Sequence, residues 1–93
     1  MTSTFGNVLV YPNPVVYAQY KGNVRIRGLA SKTNIRITDA AGNLVHSAVA
    51  NGGYFEWNLA NQRGVRVASG IYYVLMTNED GTDTATAKIA VVN

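Results

Sequence analysis

Apolar and polar residues alternate with a period of two along most of this chain, the pattern of strands that are buried on one face and wet on the other. Asn23 to Gly28 puts Val24 and Ile26 on one side and Arg25 and Arg27 on the other. Asn34 to Thr38 repeats this, with Ile35 and Ile37 inward and Arg36 outward. The final stretch sets Ala85, Ala87, Ile89 and Val91 against Thr84, Thr86 and Lys88. Leu44 to Ala50 reads as a return strand with Leu44, His46 and Ala48 on one face, and Tyr54 to Trp57 as a short aromatic strand. Gly70 to Thr77 is apolar in both parities, as a central strand under a second layer would be. No window sustains a 3.6-residue period.

Turn residues punctuate these runs. Val8 to Tyr11 is a short apolar run stopped by Pro12-Asn13-Pro14. Proline cannot donate to a ladder, so the chain must turn or leave its sheet there. Asp39-Ala40-Ala41-Gly42-Asn43, Asn51-Gly52-Gly53 and Asn78-Glu79-Asp80-Gly81-Thr82 are turns in which Asx side chains accept backbone hydrogen bonds and glycine takes positive φ. Asn58 to Ser69 reads as a polar connection. The result is all-β, an immunoglobulin-like antiparallel β-sandwich of about seven strands, with a small barrel as the alternative. At least six strands, no helix longer than about two turns, and Trp57 buried between the sheets are expected.

Composition narrows the class further. The 93 residues fit one domain, taken as 7–93, with residues 1–6 an expression start or linker. Apolar residues make up 47% and charged residues 14%, a globular balance rather than a disordered one. There is no cysteine, so neither a disulfide framework nor a thiolate metal site is available. The net charge of +3 rests on few residues and is too mild to name a partner, nucleic acid included. Met1-Thr2-Ser3-Thr4 lacks the features of a leader peptide, and no run of about 18 apolar residues offers a membrane span. If exported, the chain is expected to be part of something longer.

The candidate chemistry is thin. His46 is the only histidine, so a zinc site would need carboxylates or water, and a strand-surface histidine is expected instead. Ser31, Ser47 and Ser69 lack a nucleophile turn. Asn78, Glu79, Asp80, Thr82 and Asp83 cluster oxygens that calcium could use, although a polar hairpin tip accounts for them equally. Glu56, between Phe55 and Trp57, has no second acid placed to share a cleft. Arg25, Arg27 and Arg36 are expected on one outer face, near Lys21 or Lys32. There they form a candidate anion-binding patch, with a solvated face as the alternative. No catalytic residue, metal or cofactor is assigned.

The order of segments supplies the rest. Val10-Tyr11-Pro12-Asn13-Pro14-Val15 resembles the V-Y-P-N-P opening of C-terminal sorting domains of type IX secretion cargo in Bacteroidetes-type bacteria. Ile35 to Val45 resembles the family's strand–turn–strand with D-x-x-G, and Gly53, Trp57 and Asn58 its G…W-(D/N) segment. Gly64 to Val74 resembles G-x-x-V-x-S-G-x-Y-x-V, which contains Gly70, Tyr72 and Val74. Lys88-Ile89-Ala90-Val91-Val92-Asn93 resembles the terminal K-(I/L)-x-V. Within the family, Ile37 to Val45 and Asn78 to Thr82 look most like the tails of PorZ-type proteins, β-propeller surface components of the attachment (sortase) complex. A similar strand pattern occurs in the immunoglobulin-like domain of the flagellar hook-capping protein.

This resemblance implies a non-enzymatic export signal, recognised as a folded domain by the outer-membrane translocation and attachment machinery. Its route would run through the periplasm to the cell surface or the medium. In most cargo the domain is removed as the protein is attached to anionic lipopolysaccharide; in PorZ-type proteins it is expected to remain. The resemblance marks Tyr11, Pro12, Asn13, Pro14, Gly70, Tyr72, Val74, Lys88, Ile89 and Val91 as the sorting motif. The residues alone leave open an immunoglobulin-like binding or spacer module, for glycan or lipopolysaccharide, since sandwiches host many functions.

Overall fold

In the computed structural model, residues 5–16 and 22–92 are described, and the period-two segments form eight strands. They are β1 (Leu9–Tyr11), β2 (Val15–Val16), β3 (Val24–Arg27), β4 (Lys32–Asp39), β5 (Leu44–Asn51), β6 (Tyr54–Trp57), β7 (Gly70–Asn78) and β8 (Thr84–Val92). Two sheets result, one in the order β1-β3-β6 and the other in the order β2-β8-β7-β4-β5. The described residues contain no helix, and so none that could cross a membrane. The Met1–Thr4 start, Lys21 and the terminal Asn93 lie outside the described residues.

The sandwich is as expected, with one strand more than seven and one parallel pair. The extra strand is β2, two residues long, running parallel to the end of β8 with Val15 opposite Val91. It exists because the prolines do what was expected of them. The chain leaves the small sheet after Tyr11 and re-enters the large one at Val15. The Tyr11–Pro12 and Asn13–Pro14 peptide bonds are both cis. β7 lies third of five in its sheet, between β8 and β4, as its apolar composition predicts.

The core is built from the inward parities of both sheets. Val24, Ile26 and Trp57 from the small sheet meet Ile35, Ile37, Tyr72, Val74, Met76, Ile89 and Val91 from the large one. Trp57 is 1% exposed; its ring meets that of Tyr72 edge-on at 5.8 Å, and its indole N–H donates to the Ala60 carbonyl at 3.0 Å. Asn58 to Ser69 is less polar than its composition suggests. It buries Leu59, Ala60 and Val67, and the Val67 amide donates to the Leu59 carbonyl at 2.9 Å. Leu59, fully buried, stands at φ 61°, a region that costs a non-glycine residue about 1–3 kcal/mol and persists only where its surroundings enforce it.

One turn design recurs three times. In Asp39–Gly42, Asn61–Gly64 and Asn78–Gly81 the glycine amide donates to the carbonyl of the Asx residue three positions earlier, at 3.0, 2.9 and 3.2 Å. Each glycine has positive φ, at 90°, 80° and 73°. The Asx side chain then gathers the following amides. Asp39 Oδ1 accepts from Ala41 and Asn43, Asn61 Oδ1 from Arg63 and Val65, and Asn78 Oδ1 from Asp83. At Gly28 (φ 80°), by contrast, a Cβ would sit 2.3 Å from the Asn7 carbonyl oxygen, so no side chain fits where β3 passes the N-terminal segment.

Candidate functional site

The proline-rich opening and the last strand meet through one side chain. Asn13 Nδ2 donates to the Lys88 carbonyl at 2.7 Å, and the Ala90 amide donates to Asn13 Oδ1 at 3.1 Å. An amide side chain presents one donor and one acceptor, the same pair that a strand residue offers its neighbour. Asn13 therefore continues the ladder of β8 immediately before β2 takes it over. Residues 75 and 77 positions apart are held in register by it.

Around that junction the motif residues divide into core and surface. Val74, Ile89 and Val91 are buried, and so is Tyr72. The Tyr72 hydroxyl donates to the Ala68 carbonyl at 2.6 Å, four residues upstream, which resembles the tyrosine corner of immunoglobulin-like folds. Burial, and then the negative charge of Asp39, push its phenol above the ordinary value. Gly70 is exposed opposite Val91, beside a depression of about 260 Å³ lined also by Asp39, Ser69 and Tyr72. Tyr11 and Pro12 are half-buried, while Asn13, Pro14 and Lys88 are exposed. Lys88 stands outward on β8 opposite Tyr73, and its side chain takes no part in the Asn13 junction.

The three arginines do not share a face. β3 lies in the small sheet and β4 in the large one, so Arg25 and Arg27 point away from one side of the sandwich and Arg36 from the other. Two consecutive alternating strands were read as neighbours, but the chain crosses between sheets at Gly28 to Ser31. Lys32 is on β4, paired with Glu79 at 3.8 Å. On the small sheet Arg27 stands between Leu9 and Tyr54, and Arg25 between Tyr11 and Glu56.

Two other expected features take a different form. His46 is half-buried and faces inward: it stands opposite the inward Ile37, while a bulge just beyond, between Ile37 and Thr38, turns Leu44 outward. The His46 ring lies 6.4 Å from that of Phe55, and its Nδ1 is buried without a hydrogen-bond partner. The oxygens of Asn78 to Asp83 are used by the turn itself. Asn78 Nδ2 donates to Thr82 Oγ1, the Thr82 hydroxyl to Asp80 Oδ1, and the Phe5 amide to Asp83 Oδ2. Among the described residues no three His, Cys, Asp or Glu side chains converge on a metal-sized space. Sequence reading missed Asn13 as a joint; only the pairing of β8 could have shown it.

Residues 9–92 match the family described as secretion system C-terminal sorting domain. Two solved structures from Porphyromonas gingivalis are similar. One is PorZ, an essential bacterial surface component of the type-IX secretion system, 32% identical with a TM-score of 0.80 over 94% of this chain and 12% of that one. The other is dimeric latent PorU, 22% identical with a TM-score of 0.66 over 91% of this chain and 9% of that one; at that identity the likeness concerns the fold alone. The chain thus spans a small part of the length of either protein. No curated protein matches it.

Proposed function

Because this chain belongs to the secretion system C-terminal sorting domain family, we propose that it is a folded, non-enzymatic signal that takes a larger protein through a type IX secretion system to the cell surface or the medium. One observation carries this reading. The two ends of the family pattern, Tyr11–Pro14 and Lys88–Val91, form a single structural unit joined by Asn13. A receptor that binds there reads residues far apart in sequence at once, which an unfolded tail could not offer. The partner in this reading is the outer-membrane translocation and attachment machinery, met from the periplasm. The likeness to PorZ supports a narrower reading, in which the chain is the tail of a PorZ-like surface component. Anionic lipopolysaccharide is the second partner proposed, at Arg25 and Arg27 with the flanking Tyr11 and Tyr54.

The test fuses residues 7–93 to a periplasmic reporter in a type IX-competent host. Surface exposure of the reporter is the expected result, and its retention in the periplasm would remove the proposal in favour of a binding or spacer module. Lys88→Ala sharpens the test, because its side chain is exposed and outside the Asn13 junction. Loss of export at an unchanged melting temperature would place recognition on the outward side of β8.

A further inference from the structure

Among the described residues, the outward face of the five-stranded sheet differs from the rest of the surface. Six of the nine large apolar or aromatic side chains exposed among the described residues stand on it: Leu44, Val49, Ile71, Tyr73, Leu75 and Val92. Ile71, Tyr73 and Leu75 follow one another along the central strand β7, each 36–41% exposed. This explains why Gly70 to Thr77 is apolar in both parities: one parity fills the core, and the other is left in water. A contiguous apolar strip of this kind on a small domain marks an interaction surface.

The strands of the same face carry charge of one sign. The strand register places Arg36 beside Leu75 and Lys88 beside Tyr73, while Lys32 at the start of β4 is paired with Glu79 from the turn after β7. No Asp or Glu occupies an outward position on β4, β5, β7 or β8. The other outward positions are short and mostly polar, Asn34, Ser47, Thr77 and Thr86 among them. A shallow depression of about 830 Å³ crosses the sheet between Val49, Arg36 and Leu75. The small sheet's outer face is mixed instead, with Glu56 beside Arg25.

We infer that this face is where the export machinery grips the domain, and that the machinery meets it with a protein surface carrying an apolar ridge bordered by carboxylates. The inference rests on the sorting reading above and adds to it a location and a partner chemistry. Complementarity dictates both halves: the strip supplies apolar area, while Arg36 and Lys88 select for acidic neighbours and against basic ones. The concavity and its hydrogen-bonding rim of Asn34, Ser47 and Thr77 suit a shaped protein partner better than a lipid surface, which would be met by a convex patch.

The experiment uses the reporter fusion with paired variants on the two faces. Tyr73→Ser combined with Leu75→Ser, and separately Arg36→Glu, are expected to lower surface-exposed reporter by roughly tenfold or more, as loss of a buried anchor does. Leu9→Ser and Glu56→Gln on the small sheet are expected to leave export unchanged. Melting temperatures of the domains separate lost recognition from lost folding, and Arg36→Glu, a surface charge change, guards against a double variant that fails to fold. The fusion lacks the natural upstream protein, so loss of export there cannot come from disturbed packing against a preceding domain. Normal export by all the large-sheet variants, or equal loss from both faces, would overturn the inference and leave the sorting reading standing. Binding of the domain to vesicles of mixed zwitterionic and anionic phospholipid that is abolished by the same variants would assign the face to a membrane and also overturn it. Retention of the unaltered fusion in the periplasm would remove the sorting reading, and this inference with it.

Discussion

The two edges of the five-stranded sheet are both closed by a side-chain amide from outside the sheet, yet they come to very different ends. At the β8 edge Asn13 takes the Lys88 carbonyl and the Ala90 amide, and β2 then follows with Val15 fully buried. At the β5 edge Gln62 stands in a similar place. Its backbone amide donates to the Val45 carbonyl at 3.1 Å, and its Oε1 accepts from the Ser47 amide at 2.8 Å. No strand follows there, and β5 remains the edge of its sheet. An uncovered strand edge invites pairing with other chains, and a single amide blocks it locally. The difference teaches how to read the family pattern. Most motif residues at the β8 edge build the fold, so their presence in a sequence reports a stable sandwich before it reports a binding surface.

The largest effect should come from the buried motif. Ile89→Ala removes a fully buried side chain from β8 and is expected to cost roughly 2–5 kcal/mol by urea denaturation. A change below about 1 kcal/mol would mean that the motif is not structural at this position. Asn13→Ala breaks both hydrogen bonds of the junction and is expected to cost about 1–2 kcal/mol, with faster amide exchange at Ala90. Gln62→Ala removes one side-chain bond at the open edge and should cost about 0.5–1 kcal/mol, less than Asn13→Ala. Equal losses at the two edges would erase the contrast between them.

Strand existence and parity were legible because alternation is a local property. β3, β4 and β8 bury the side chains that their period-two pattern assigns to the core. Sheet membership is not local. Arg27 and Arg36 lie nine positions apart with alternating neighbours, and nothing in that spacing reveals that the chain changes sheets between them. Leu44 and His46 were read on one face, but the bulge at Ile37/Thr38 inserts one residue and reverses parity at Leu44, while His46, opposite the inward Ile37, keeps the inward parity of Ala48 and Ala50. Leu59 and Val67 were hidden inside a polar stretch, since two apolar residues eight apart show no period. Asn13 looked like turn punctuation because both of its partners belong to the other end of the chain.

The smallest expected effect lies at the open edge, in the Asp39 turn that leads into β5. The backbone amide of Asn43 and then its side-chain amide hold the Asp39 carboxyl below its ordinary value of 3.8, against desolvation, with the amides of Ala41 and Gly42 adding less. The folded state therefore favours the carboxylate more than the unfolded chain does. Its contribution to stability is complete above the ordinary value and disappears as the pH falls through 3.8 and then through the lower folded value. Asp39→Asn keeps an oxygen acceptor but carries no charge at any pH. The variant should melt slightly below the wild type at neutral pH, and the gap should shrink as the pH falls through 3.8 and close below the lower folded value. Melting curves of both proteins across that range decide the point. A gap that stays constant with pH would show that the turn depends on shape rather than on the charge of Asp39, and that the β5 edge is held without the electrostatic help assigned to it here.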